Sequence, residues 1–230
     1  GIAVLNYDAK FNYAAINDFA SNLADGQILL FLNNDIEVIS DDWLDEMVGH
    51  AIRKEVGAVG AMLYFPNDLI QHAGIILYPE IVAGHAFYQK LKGSYGQNDR
   101  ACLVQNYSAV TAACMAIEKS KFLKVGGFDQ EHLPVAFNDV DLCLRLRKAG
   151  YWTVWTPYAE LYHMESKSRG YETTVEKQNR FEKDMAYMQN KWGEIIIDDP
   201  AYHPNLKSHP FFSLADPPRT KKPWKGLKNN

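Results

Sequence analysis

The feature that most constrains this sequence is a short, unbroken apolar run, Ile28-Leu29-Leu30-Phe31-Leu32, that stops abruptly at Asn33-Asn34-Asp35. A strand with one face in water alternates apolar and polar residues, whereas a strand covered on both faces is apolar throughout. Residues 27–32 are therefore expected to be a buried strand inside a layered domain. A second such run, 56–64, follows a segment whose apolar residues Leu44, Met47, Val48, Ala51 and Ile52 have helical spacing, with Ser40 or Asp41 available to cap it. Strand, helix and strand in this rhythm imply right-handed βαβ units, hence an α/β domain with a mainly parallel mixed sheet flanked by helices.

The rest of the chain extends that pattern. Residues 1–7 are rich in β-formers and read as a strand. Residues 12–23 read as a helix closed by Asp25-Gly26. Further on, 110–117 reads as a buried strand, 118–125 as a short helix ended by Gly126-Gly127, and 139–149 as a helix stopped by Gly150. A strand is expected at 151–155 and a longer amphipathic helix at 175–192. Between 66 and 106 periodicity fades and Gly, Tyr and His accumulate, as in a long excursion over an active face. From residue 198 Pro, Asn, Lys and His dominate. The division expected is one domain over 1–197 and an extended strap over 198–230, becoming disordered near 221–230.

Composition narrows the function class. With 230 residues, 47% of them hydrophobic, the chain can bury a core without staples. Its formal charge of −4 argues against a nucleic-acid partner, which calls for a basic face. Cys102, Cys114 and Cys143 lack metal or redox spacing and are expected as reduced thiols of a cytoplasmic protein. No apolar run approaches the length of a membrane span.

Three polar groups could carry chemistry. Asn33-Asn34-Asp35 ends a buried strand, where open α/β sheets bind ligands, and its oxygens suit Mg2+ or Mn2+. The same residues also favour a plain Asx turn. Asp139, in Phe137-Asn138-Asp139-Val140-Asp141, falls at a helix start, where it could be either a general base or a cap. His163 could complete a metal shell or bond a diphosphate, or simply be a hydrogen-bonded core residue, and Arg169 could clamp a phosphate from a polar loop. His72 and His85 have no diagnostic spacing.

The order of the short segments is more specific than any one of them. Phe11-Asn12-Tyr13 with Asn17, Leu29–Asp35, Trp43-Leu44, Gln71-His72-Ala73-Gly74 and Val110–Cys114 are followed by Gly126-Gly127-Phe128-Asp129. Then come Asn138–Arg145, Gly150-Tyr151, Thr156-Pro157-Tyr158-Ala159, His163–Gly170 and Asp198–Tyr202. In this order they resemble the family 2 glycosyltransferases, inverting enzymes of the GT-A (Rossmann-related) fold, and within them the bacterial O-antigen and rhamnan-type branch. The resemblance implies a divalent metal, Mn2+ or Mg2+, held by Asp35 with Asn33 and His163. It implies Asp139 as catalytic base, Asn17, Asn34 and Arg169 on the donor diphosphate, and Asn138, Asp141 and Thr111 towards the acceptor. Asn33 stands where the family has Asp, and Asn138 where it has Glu. Relative to the family the chain starts after the N-terminal strand and loop that hold the nucleoside, so an N-terminally shortened GT-A domain is expected. The partners implied are a nucleotide-sugar donor and a saccharide or lipid-linked saccharide acceptor, met in the cytoplasm or at the inner membrane face. An incomplete acceptor- or metal-binding part and a metal-dependent hydrolase are the competing readings.

Overall fold

The computed structural model describes residues 3–164, 174–207 and 209–219. The elements, in order, are α1 (Tyr13–Leu23), β1 (Ile28–Leu32), β2 (Ile36–Val38), α2 (Trp43–Ala51), β3 (Val56–Tyr64), β4 (Ile70–His72), β5 (Ile75–Tyr78) and β6 (Val82–His85). They continue with β7 (Gln105–Tyr107), β8 (Cys114–Glu118), α3 (Lys119–Lys124), α4 (Asn138–Lys148), β9 (Trp152–His163) and α5 (Val175–Ile197). The main sheet runs β1-β8-β3-β9-β2, with β4 added to β3 and β7 to β9, while β5 and β6 form a separate hairpin.

The α/β architecture agrees with the sequence, but the balance of strand directions does not. Among the described residues β3–β9 is the one parallel ladder, and every other pairing in the main sheet is antiparallel. The reason is the excursion through 66–113. It returns as β8, which inserts between β1 and β3 and runs against both. So β1, β3 and β9 share one direction, as βαβ units require, while the strands supplied by the excursion and the turns oppose them.

Every residue of β3 is buried, as its unbroken apolar sequence requires. Ala58, Met62 and Tyr64 join the larger core with α1, α3, α4 and α5; Val56, Val59, Ala61 and Leu63 face α2. Of the expected α2 stripe, Met47 and Ala51 are buried, whereas Leu44 and Ile52 are exposed. Against the buried Met47 and Ala51 the sheet presents Val56, Val59, Leu63, Val154 and Leu161 together with smaller alanines.

Other boundaries moved for local reasons. Residues 3–7 are irregular and largely exposed, not a strand. α1 begins where expected, because the Asn12 side chain caps it by accepting the Ala15 N–H at 2.9 Å. The strand expected over 110–117 starts only at Cys114. β9 continues well past Thr156-Pro157 to His163: its register on β3 jumps between Gly60 and Met62, so the proline sits in a bulge rather than ending the strand. The last helix also runs beyond Trp192 to Ile197, burying Met188, Trp192 and Ile196 at four-residue spacing.

Candidate active site

The site grows from the end of β1. Asn33 continues the ladder by one bond, its N–H donating to the Ala113 carbonyl at 2.9 Å, and Asn34-Asp35 turn the chain into β2. β2 pairs with β9 so that Ile36 stands opposite His163. That register brings the Asp35 carboxylate (Oδ1) and the Asn33 amide (Nδ2) each to 3.2 Å from His163 Nε2. On the far side of the ring, Gln71 Oε1 lies 2.8 Å from Nδ1. A carboxamide oxygen can only accept, so Nδ1 carries the proton and Nε2 keeps its lone pair for the Asn33 and Asp35 side.

Asp35 Oδ1 is buried and has no hydrogen-bond partner among the described residues. In a neutral ring Nε2 accepts from the Asn33 amide N–H, and the Asp35 carboxylate oxygen lies beside that contact. A carboxylate, an imidazole and the oxygen of the Asn33 amide are ligand types that suit a divalent cation, although the Asn33 atom turned towards His163 is the Nδ2 donor. It is a sparse set. Among the described residues no three His, Cys, Asp or Glu side chains converge on a common point.

Asp139 sits in the first turn of α4, which Phe137 enters from a left-handed backbone conformation (φ 57°). Its carboxylate accepts the Ala112 N–H at 3.1 Å and the Val140 N–H at 2.8 Å, and the Thr111 hydroxyl also bonds it. Burial raises its pKa above the ordinary aspartate value, and these three hydrogen bonds only partly offset that. The result is an ionisable carboxylate of enhanced basicity, held rigidly from two sides.

A cavity of about 680 Å3 adjoins both groups. Gln71, Thr111 and His163 form part of its lining, so it is bordered both by the Asp35 cluster and by the residue that bonds Asp139. Gly74 follows Gln71 and His72 in the chain. Its φ of +95° and its approach to the Tyr107 ring, which an added Cβ would meet at 2.2 Å, allow the tight turn from β4 into β5.

The structure thus gathers Asn33, Asp35 and His163 in one cluster and Thr111 with Asp139 in another, along a single cavity. It does not gather the remaining candidates. The Asn17 amide donates to the Tyr13 carbonyl of its own helix at 2.8 Å, and Asn34 is exposed at the turn. Asn138 is buried and donates to the Val135 carbonyl at 2.9 Å. Asp141 is fully buried and bonds Arg145 and Trp192, with Lys191 2.8 Å away, so it faces the α4–α5 contact instead of the cavity. Arg169 lies outside the described residues. Sequence reasoning missed Gln71, which sets the His163 tautomer, and the pair His72–His85, whose Nδ1 atoms are 2.8 Å apart. The available signal was the Gln71-His72-Ala73-Gly74 segment, which carries polar side chains into an otherwise apolar strand pair.

No family model matches the chain. It is 49% identical over 205 residues, 89% of its length, to an uncharacterised protein of Sinorhizobium fredii. Over 169 residues, 72% of its length, it is 43% identical to the O-antigen biosynthesis protein RfbC of Myxococcus xanthus. A stretch of 61 residues, 26% of the chain, is 39% identical to the N-acetylglucosaminyl-diphospho-decaprenol L-rhamnosyltransferase of Mycobacterium tuberculosis. The chain spans 23%, 13% and 20% of those relatives, a quarter or less of each. Among solved structures it superposes on GalNAc-T7 with UDP, GalNAc and Mn2+, with a TM-score of 0.61 and 12% identity over 83% of this chain and 36% of that one. It also superposes on the mannosyltransferase PcManGT of Pyrobaculum calidifontis with GDP-Man and Mn2+, with a TM-score of 0.54 and 13% identity over 84% of this chain and 50% of that one.

Proposed function

We propose that this chain, a GT-A-type α/β domain similar in sequence to family 2-like glycosyltransferases, transfers a sugar with inversion from a nucleotide-sugar donor to a saccharide acceptor in bacterial surface-polysaccharide synthesis. The observation that carries the proposal is the buried Asp35 carboxylate beside His163, next to a cavity that both His163 and Thr111 line, with Thr111 bonded to Asp139. The relatives' names and the Mn2+ in both neighbouring structures agree in kind.

In this reading Asp139 is the base. Its carboxylate takes the proton of an acceptor hydroxyl as that oxygen bonds to the donor's anomeric carbon. The bond from that carbon to the diphosphate oxygen breaks in the same displacement, and the electron pair leaves with the diphosphate. Attack and departure on opposite faces invert the centre, through an oxocarbenium-like transition state of the kind seen in glycoside hydrolysis. The hydrogen bonds from Ala112 and Val140 hold the carboxylate in one orientation, and its raised pKa makes it the better proton acceptor. Asp35 and His163, with Asn33, would hold a divalent cation, which when bound stabilises the charge on the leaving diphosphate. Gln71 accepts from Nδ1 and so leaves Nε2 as the ring nitrogen on the Asp35 side.

The test is a screen of nucleotide sugars with the full-length protein, following glycosylated product and free sugar separately. Transfer to a saccharide supports the proposal. Release of free sugar without any glycosylated acceptor makes the protein a hydrolase and overturns it.

A further inference from the structure

The cavity beyond the Asp35 cluster has a lining that the mechanism above does not use. Its volume of about 680 Å3 lies within the roughly 300–1,000 Å3 of small-ligand sites. Its walls are aromatic, and the residues that follow α5 complete them. Phe212 stacks on Phe87 with ring centres 4.6 Å apart and planes within 10°, and His209 stacks on Tyr78 at 5.9 Å and 15°. Gly84 leaves room for this segment, since an added Cβ would stand 3.0 Å from the Phe211 ring. Among the described residues no acidic side chain lines the cavity, and the lysine that does, Lys90, is exposed.

Two histidines line it, His72 buried and His85 half-buried, and their hydrogen bonds determine where the protons sit. Burial lowers the pKa of His72 well below the usual range and that of His85 to about 4, so both are neutral at pH 7. The Thr111 backbone N–H donates to His72 Nε2 at 3.4 Å. A neutral His72 therefore carries its proton on Nδ1 and donates it to His85 Nδ1, 2.8 Å away. His85 is then left protonated on Nε2. The outcome is a fixed, uncharged N–H donor on a cavity-lining residue, with aromatic faces around it.

Such a wall suits neither a diphosphate, which needs several cations or backbone donors, nor a wholly apolar ligand, which would leave the donor unpaired. It suits a molecule with an apolar C–H face and hydroxyls at its edges. We propose that this cavity is the acceptor subsite, binding the terminal pyranose of a saccharide with its C–H face against the aromatic wall and a ring hydroxyl accepting from His85 Nε2–H. Thr111 and His72 are positioning residues that fix the His85 tautomer. The proposal rests on the glycosyltransferase reading for the word acceptor, but not for saccharide binding itself.

The experiment uses the full-length protein without donor or metal and a panel of methyl glycopyranosides, read by saturation-transfer NMR and titration. The wild type is expected to saturate the C–H protons of one ring face in at least one glycoside. His85→Phe, which keeps an aromatic ring but removes the donor, and Tyr88→Ala, at a half-exposed rim position, are each expected to weaken binding about three- to tenfold, the scale of one hydrogen bond or one stacking contact. Asp35→Ala is expected to leave it unchanged. In turnover assays the two cavity variants should raise acceptor KM and leave donor KM within about twofold. Binding of no glycoside by the wild type, or displacement of a bound glycoside by UDP or GDP, overturns the proposal. Unchanged acceptor KM in both variants of an active enzyme overturns the subsite and leaves the transferase standing. Glycoside binding without any transfer supports the subsite while the transferase reading fails.

Discussion

Asp141 separates a structural role from a substrate role, and Asp141→Asn is the sharpest perturbation this chain offers. The residue's side chain is fully buried. Its Oδ2 accepts from Arg145 Nε at 2.7 Å, and its Oδ1 from Trp192 Nε1 at 2.8 Å with Lys191 Nζ also at 2.8 Å. Arg145 in turn donates to the Val125 carbonyl at 2.6 Å, so one carboxylate ties α4 to α5 and to the end of α3. Removing one member of a buried ion pair costs about 3–5 kcal/mol, because its partners keep their charge without their counter-charge. Here both cations are partly solvated, Arg145 18% and Lys191 29% exposed, which reduces the figure to about 2–4 kcal/mol. For a domain of this size that is a fall in Tm of about 4–16 °C. Thermal and urea unfolding of the variant, followed by far-ultraviolet circular dichroism, read it directly. A Tm within about 2 °C of wild type, together with loss of transfer, would refute the structural reasoning and return Asp141 to the acceptor side.

The other expectations concern the site. Asp139→Asn abolishes transfer in the full-length protein and leaves donor affinity nearly intact; equal loss of both contradicts its role as base. Because burial raises the Asp139 pKa, the base is lost by protonation at a pH above the value of a free aspartate. The acidic limb of kcat/KM should then have its midpoint above about pH 3.9, and a midpoint at or below that value contradicts the assignment. Asp35→Ala weakens Mn2+ binding in isothermal titration by more than about 100-fold, since second-shell changes alone cost 10- to 100-fold. A variant still stimulated by Mn2+ counts against the metal role. Asp199 accepts the Leu77 N–H at 2.7 Å, the Ala201 N–H at 2.8 Å and the Ser108 hydroxyl, and so pins the segment that completes the aromatic cavity. Asp199→Ala leaves these donors unpaired at about 1–3 kcal/mol each, and limited proteolysis should cut residues 201–219 earlier than in wild type.

Elements with strong local signatures were legible in the sequence. The unbroken apolar run of β3 and the amphipathic pattern of α5 each state a burial requirement that a neighbouring layer meets, and the helix expected over 12–23 is α1. The bulge that carries β9 past Pro157 was not legible, because proline marks a missing donor and the missing bond is absorbed only by pairing with β3. The segment 66–106 was read only as an excursion. Its short strands have no periodicity of their own and owe their existence to partners elsewhere in the chain.

By itself the sequence determined the α/β layering, the placing of Asn33-Asn34-Asp35 at the end of a strand, and Asp139 at a helix start. These follow from patterns a few residues long, whereas the burial expected along all of β1 holds only for Leu29 and Phe31, with Leu32 exposed. Only the tertiary structure decided which strands run antiparallel, that Asp141 and Asn138 turn inward, that Gln71 meets His163, and that His72 meets His85. Asn33 and His163 are 130 residues apart and meet because β2 pairs with β9 in one register. A slip of one residue would turn His163 to the other face of the sheet. Register of that kind is set by the whole sheet at once, so no local stretch of sequence contains it.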